Sequence, residues 1–147
     1  MTDPIIKIQN LQPHYRIAIR NKVKSLLISN TDLGGRWFCS RPKPIFLNEL
    51  PCGLIYFSEE IADSGNSVPR SYKRTISLLT EVVHRLEAER DNALDDFLDS
   101  RAFEIEAVMT NDRYLGLQNI VEDCLLVRTE TLNMEIGGDE DIASLRI

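Results

Sequence analysis

Hydrophobic and polar positions are most sharply patterned across residues 44–83, and the rest of the chain is best read around that stretch. Gly53-Leu54-Ile55-Tyr56-Phe57 is rich in β-branched and aromatic residues, with Pro51 before it and Ser58-Glu59-Glu60 after it. Such a run predicts a buried strand. Residues 72–86 place Tyr72, Ile76, Leu78, Val82 and Leu86 on one parity and Lys73, Thr75, Ser77, Glu81 and Arg85 on the other. A strand with one wet face has this alternation. Ile76, Leu79, Val82, Val83 and Leu86 also fit a helical stripe, so periodicity leaves strand and helix both open here. Between the two runs, residues 59–70 hold Ser64-Gly65-Asn66-Ser67 and Pro69, which predicts a long flexible loop that orders on contact.

Elements on either side follow from the same patterns. Residues 1–12 are expected to be an extended N-terminal arm. Pro13 suits a first helical turn, and Tyr15, Ile19, Val23, Leu26 and Leu27 then recur at helical spacing with Arg16, Arg20, Lys22 and Lys24 mostly outward. This helix should end near Ser29-Asn30, before the turn residues Asp32-Leu33-Gly34-Gly35. Arg36-Trp37-Phe38-Cys39 reads as a short strand, broken by Pro42 and Pro44. Residues 91–109 carry the apolar stripe Leu94, Phe97, Leu98, Ala102, Ile105 and Val108, which predicts a helix with Asp91 as N-cap. Residues 114–120 suit a short second turn. Residues 124–136 alternate as one strand, Gly137-Gly138-Asp139 reads as a hairpin turn, and residues 142–147 begin a last strand.

Length and charge narrow the classes. A chain of 147 residues is expected to be one domain with its own core. With 17 basic and 23 acidic residues the net charge is −6, which argues against general nucleic-acid affinity. The charge is unevenly spread. Residues 1–50 carry 8 basic and 3 acidic residues, whereas residues 51–147 carry 9 and 20. A bipolar molecule suits head-to-tail contact with its own copies, although a solvated surface explains the imbalance equally well. The early acid Asp3 and the lack of a long apolar run argue against a signal peptide, and no run approaches the roughly 18 residues of a membrane span. Cys39, Cys52 and Cys124 are odd in number and unpaired in spacing, as in reduced intracellular thiols.

The search for chemistry returns little. His14 and His84 lie on separate elements and the cysteines form no paired motif, so no metal site is expected. Asp95, Asp96 and Asp99 read as a solvated helix face before they read as a carboxylate cluster. Gly34-Gly35 and Gly137-Gly138 lack a phosphate-loop context. Arg36, Arg41 and Lys43 beside Trp37 and Phe38 are more simply strand and loop residues than a stacking platform. No catalytic constellation and no cofactor site are expected.

The order of features resembles a family. A helix is followed by a short strand with prolines, then Leu50-Pro51-Cys52-Gly53-Leu54-Ile55-Tyr56 with acids after it, then Arg70-Ser71-Tyr72-Lys73-Arg74-Thr75. Next come Leu94-Asp95-Asp96-Phe97-Leu98-Asp99 and Val121-Glu122-Asp123-Cys124-Leu125-Leu126. Thr129-Glu130-Thr131 and Gly138-Asp139 then precede Ile142-Ala143-Ser144-Leu145-Arg146-Ile147. This order is similar to that of the tail terminator proteins of long-tailed phages, the group that includes the lambda-type minor tail protein U. The resemblance implies an α+β fold: a mostly antiparallel or mixed sheet of four to five strands, with two main helices packed on one face. It also implies a strand at residues 72–86. By the family pattern the protein is a non-enzymatic, prophage-encoded virion subunit that closes as a ring, a hexamer, on the last ring of the tail tube. Its expected partners are itself, the tail tube protein and the head–tail connector, with no membrane and no direct nucleic-acid recognition. It would work in the bacterial host cytoplasm during assembly and then in the virion tail. The family's last strand runs on through an aromatic-rich ending, whereas this sequence stops at Ile147, which implies a truncated product or a prophage remnant.

A ring subunit needs two unlike surfaces that fit each other. The basic candidates are Arg16, Arg20, Arg70, Lys73 and Arg74, and the acidic ones are Glu59, Glu60, Asp95, Asp96 and Asp99. Two other classes remain alternatives at this point: a different virion adaptor such as a head-completion protein, and a small thiol-dependent enzyme.

Overall fold

The structure is a computed structural model that describes residues 5–8, 15–39, 47–64, 72–85, 93–136 and 140–146. Among the described residues, seven strands and two helices follow one another as β1 (Ile5–Ile8), α1 (Tyr15–Asn30), β2 (Trp37–Cys39), β3 (Cys52–Ser64), β4 (Tyr72–Arg85), α2 (Ala93–Asn111), β5 (Val121–Leu125), β6 (Glu130–Ile136) and β7 (Glu140–Arg146), with a 3₁₀ turn at Leu47–Glu49. The fold is α+β, with both helices packed on the sheet and on each other. All strand pairs are antiparallel except β2 with β3, which makes the sheet mixed. Seven strands exceed the four or five expected, and the two extra ones have specific origins.

Ile5–Ile8, expected in an extended arm, is extended but lies inside the sheet as β1, between β4 and β5. Four residues carry too little pattern to show that both backbone edges will find ladders. The alternation across residues 124–136, expected as one strand, belongs to two. β5 ends at Leu125, the chain crosses residues 126–129 without ladder pairing, and β6 pairs only with β7. Alternation reports which face a residue takes, not which neighbour its backbone meets.

Residues 72–86 are the clearest arbitration. β4 runs from Tyr72 to Arg85, and the six residues Leu78, Leu79, Thr80, Glu81, Val82 and Val83 are all buried. A helix on a sheet buries one stripe and leaves the rest wet. A strand inside a sheet buries consecutive residues because the two parities are covered on opposite faces.

β3 also departs from expectation. The predicted loop at 59–70 starts later, because Glu59, Glu60, Ile61, Ala62, Asp63 and Ser64 continue β3 against β4. Polar composition does not prevent pairing when a long partner strand offers its backbone. Residues 65–70 lie outside the described residues, as do Pro13, Asp91 and the turn at 137–139. The ladder slips between Phe57 and Glu59, where Phe57 pairs Leu78 and Glu59 pairs Ser77. That bulge places both Phe57 and Glu60 on the helix-bearing face, although they are three residues apart.

The core lies between helices and sheet. Ile19, Val23 and Leu27 of α1 and Leu98, Ile105 and Met109 of α2 close over Trp37, Ile55, Ile76, Leu78, Val82, Val121 and Cys124. α1 ends on a local relay: Thr31 Oγ1 donates to the Leu27 carbonyl at 2.7 Å and accepts from Trp37 Nε1 at 2.8 Å. Gly34, at φ 54°, then turns the chain into β2 through the left-handed region. Trp37 lies flat on Gly53, so a Cβ there would meet its ring at 2.2, 2.3 and 2.6 Å. Trp37 is fully buried, and no flexible end is available to move aside.

Gly53→Ala is therefore expected to destabilise the fold by about 1–3 kcal/mol, with a shifted tryptophan emission in the folded state. Urea denaturation with a tryptophan readout checks this, and an unchanged midpoint would mean that Trp37 does not rest on Gly53.

Candidate subunit-interaction surface

The basic residues of the first helix are set by its wheel. Arg16, Arg20 and Lys24 recur every four residues, so they share one side of α1. That side overlooks the β2–β3 end of the sheet. The Arg16 guanidinium lies 4.9 Å from the Phe57 ring centroid and that of Arg20 lies 5.2 Å from it. Arg16 Nη1 is 3.7 Å from Glu60 Oε2, and Arg74 Nη1 approaches Glu60 Oε1 at 3.8 Å. The Tyr15 hydroxyl donates to Glu60 Oε1. Burial first, and Glu60 second, push the Tyr15 phenol above its ordinary value.

Two guanidiniums, those of Arg16 and Arg74, thus face one carboxylate, with Arg20 beside them over Phe57, and neither ion pair has hydrogen-bond length. The Nε–H groups of Arg20 and Arg74 are buried without an acceptor. The cluster keeps a net positive charge and unused donors.

The structure sorts the expected contact residues unevenly. Arg16, Arg20 and Arg74 come together. Glu60, expected among the acidic contacts, sits inside the cationic cluster instead, because the bulge turns it towards α1. Glu59 pairs Ser77 in the ladder and takes the opposite face of the sheet. Lys73 is on that opposite face too, across from Asp63. It lines a surface cleft of about 400 Å³ with Ile61, Asp63, Arg74 and Glu122. Two cations and two carboxylates balance there, so the cleft selects neither charge. Arg70 lies outside the described residues, and Asp95 is placed on α2 by its backbone alone. Asp96 and Asp99 are exposed on α2.

α2 carries Asp96, Asp99 and Glu106 away from α1. On the side towards α1, the buried Arg101 binds Asp32 Oδ2 at 3.0 Å and Glu104 Oε2 at 2.9 Å, with its guanidinium 4.9 Å from the Phe97 centroid. Phe97 in turn meets His84 edge-on at 4.4 Å. On the opposite side, Asp99, Phe103 and Glu106 follow at helical spacing, and Glu106 accepts from Thr129 Oγ1, just beyond β5, at 3.1 Å. α1 lies against β2 and β3, whereas α2 contacts β4, β5 and β7. In the strand order β2-β3-β4-β1-β5, α1 lies over one end and α2 over the centre and the other end. One molecule therefore has a cationic flank at one edge and an acidic flank at the other.

Two residues of this surface escaped the sequence. Phe57 was read only as strand core, and its role as a platform for two arginines needs the fold. Phe103 left a signal, since it is an aromatic off the apolar stripe of an amphipathic helix.

Among the described residues, no group of three His, Cys, Asp or Glu side chains is arranged to hold a metal ion, and no helix is long and apolar enough to cross a membrane. Cys52 and Cys124 are buried and Cys39 is half-buried. Burial, then the Asp123 charge, push the Cys124 thiol up to about 12. Burial also raises Cys39, against the opposing pull of Lys24 and Arg20. Comparison with known families finds no family model that matches this chain, and comparison with curated proteins finds no match either.

A thiol raised in the fold holds its proton where the unfolded chain has lost it. Its contribution to stability is complete below about pH 9 and is lost as pH rises towards 12. Unfolding free energy should fall by up to about 1.4 kcal/mol per pH unit across that window, and Cys124→Ala should flatten the slope. Equal slopes for both proteins in urea titrations would contradict the burial of this thiol.

Proposed function

We propose that this chain is a non-enzymatic structural subunit of a long-tailed phage particle, of the tail terminator kind. Copies close as a ring, a hexamer by the family pattern, on the end of the tail tube. The ring stops tube polymerisation and presents the surface that the head connector joins. The tail tube protein and the connector are its other partners, and assembly takes place in the bacterial cytoplasm.

The observation that carries this reading is the placement of unlike charge on opposite flanks of one layer. A surface that complements a different surface across the molecule generates head-to-tail contacts, and these close into rings when the rotation per copy allows. The element order agrees with the resemblance: helix, short strand, long hairpin, helix, then paired strands. Burial raises the Cys39 and Cys124 thiols and encloses Cys52, which weighs against a thiol-dependent enzyme, because the thiolate is the nucleophile.

Deleting the gene from its parent phage should give overlong tubes of variable length, read by negative-stain microscopy of lysates. Tails of normal length without heads would move the chain to a joining role alone. Normal infectious particles would end the reading.

A further inference from the structure

The geometry points to a specific contact between copies: Phe103 of one molecule seats on the α1 flank of the next, against Ile17 and the guanidiniums of Arg16 and Arg20. The inference rests on the reading of the chain as a ring subunit and names the surfaces by which it associates.

Phe103 is 74% exposed on the outward side of α2. Scattered exposed aliphatic residues are ordinary on a protein surface. A phenylalanine left this far in water on an otherwise polar helix side is a candidate anchor, since aromatic side chains dominate interface energetics. Asp99 lies one turn before it and Glu106 one turn after it, so the ring is framed by carboxylates. The flank at the other end of the sheet is the complement. Ile17 is 47% exposed there, next to Arg16, Arg20 and Lys24.

Arg16 and Arg20 already rest on one aromatic ring, that of Phe57. A second ring arriving with its own carboxylates would offer the same kind of contact from outside. It would also bring carboxylates to a cluster of three arginines that, among the described residues, holds one carboxylate. Charge and apolar area both select the same occupant, a second copy presenting α2. Because Phe103 and the arginine cluster lie at opposite edges, the contact is heterologous, and each copy retains one free half of it.

The test uses the full chain with p-benzoylphenylalanine at position 103, mixed with ¹⁵N-labelled chain and irradiated. Adducts joining position 103 of one isotope to residues 15–24 of the other are expected. Sedimentation of Phe103→Ser should show a dissociation constant raised roughly 30-fold over the unaltered chain, with the circular dichroism spectrum unchanged. Three results would overturn the contact: intermolecular adducts that map elsewhere, an unchanged dissociation constant for Phe103→Ser, or a monomer at every concentration with no intermolecular adduct. Tail length separates this inference from the reading beneath it. If deletion gives overlong tails but Phe103→Ser gives normal ones, the contact falls and the ring subunit stands. If deletion leaves tails normal, the ring reading falls, and the adducts alone decide whether the two flanks meet.

Discussion

The fold depends on a single strand being paired along both edges at once. β4 gives one edge to β3 from Tyr72 to Val83. Its other edge serves two partners in turn, β1 at Arg74–Ser77 and β7 at Glu81–Arg85. The pairs β1–β5 and β7–β6 are thereby held on the same side of β4, one after the other along its length. Among the described residues, no other strand joins these parts. Where the edge changes partner, β4 is buried on both faces, and even its polar residues are enclosed. Glu81 lies in that stretch and accepts a hydrogen bond at 2.9 Å from Tyr56 on the neighbouring strand. An enclosed carboxylate without such a donor would cost several kcal/mol. The Tyr56–Glu81 pair also fixes register, because sliding either strand by one residue would send both side chains to the wrong face.

From this spine the two flanks follow. β2 and β5 stand at opposite ends of the strand order, and each helix settles over the strands nearest to it in the sheet. α1, with four basic and no acidic residues, covers the β2–β3 end, and α2, with five acids and one engaged arginine, covers the β5 end. The separation of charge along the sequence thus becomes a separation of charge in space. Arg101 joins the two helices on their inner sides and uses up the only basic residue of α2. Among the described residues, no ion pair neutralises that helix's outer acids in the same way.

Both helices and the short strand at Trp37 were legible, because their apolar spacing is local. Leu94, Leu98, Ile105 and Val108 can bury together only on a helix. β4 was half legible, since Ile76, Val82 and Val83 serve either period and only burial on two faces decides. The inward position of β1, the split between β5 and β6, and the bulge after Phe57 were not legible. Each is a choice of backbone neighbour, made by tertiary pairing that side-chain pattern does not encode. The bulge carried the largest error for the surface. Glu59 and Glu60 are indistinguishable in composition, yet one faces away from the helices and the other lies under Tyr15 and Arg16. Arg16, Arg20, Asp96 and Asp99 were legible as charged and outward. Their separation onto opposite edges was not.

Charge alone would make a poor subunit contact. Exposed ion pairs contribute about 0–1 kcal/mol each, and at physiological ionic strength their reach is about 8 Å. Such charges orient an encounter and reject wrong partners more than they hold a complex together. Holding requires apolar area removed from water, and both flanks offer exposed apolar side chains, Ile17 on one and Phe103, with Leu125 and Val127 at the β5 edge, on the other. A single such anchor is weak as an isolated pair. Around a closed ring it is repeated at every junction, and breaking the ring means breaking two junctions at once. Weak, charge-steered contacts with one apolar anchor therefore favour free subunits in dilute solution and stable rings where a template gathers them. On the proposed reading of the chain as a ring subunit, that balance would confine association to one end of a tube.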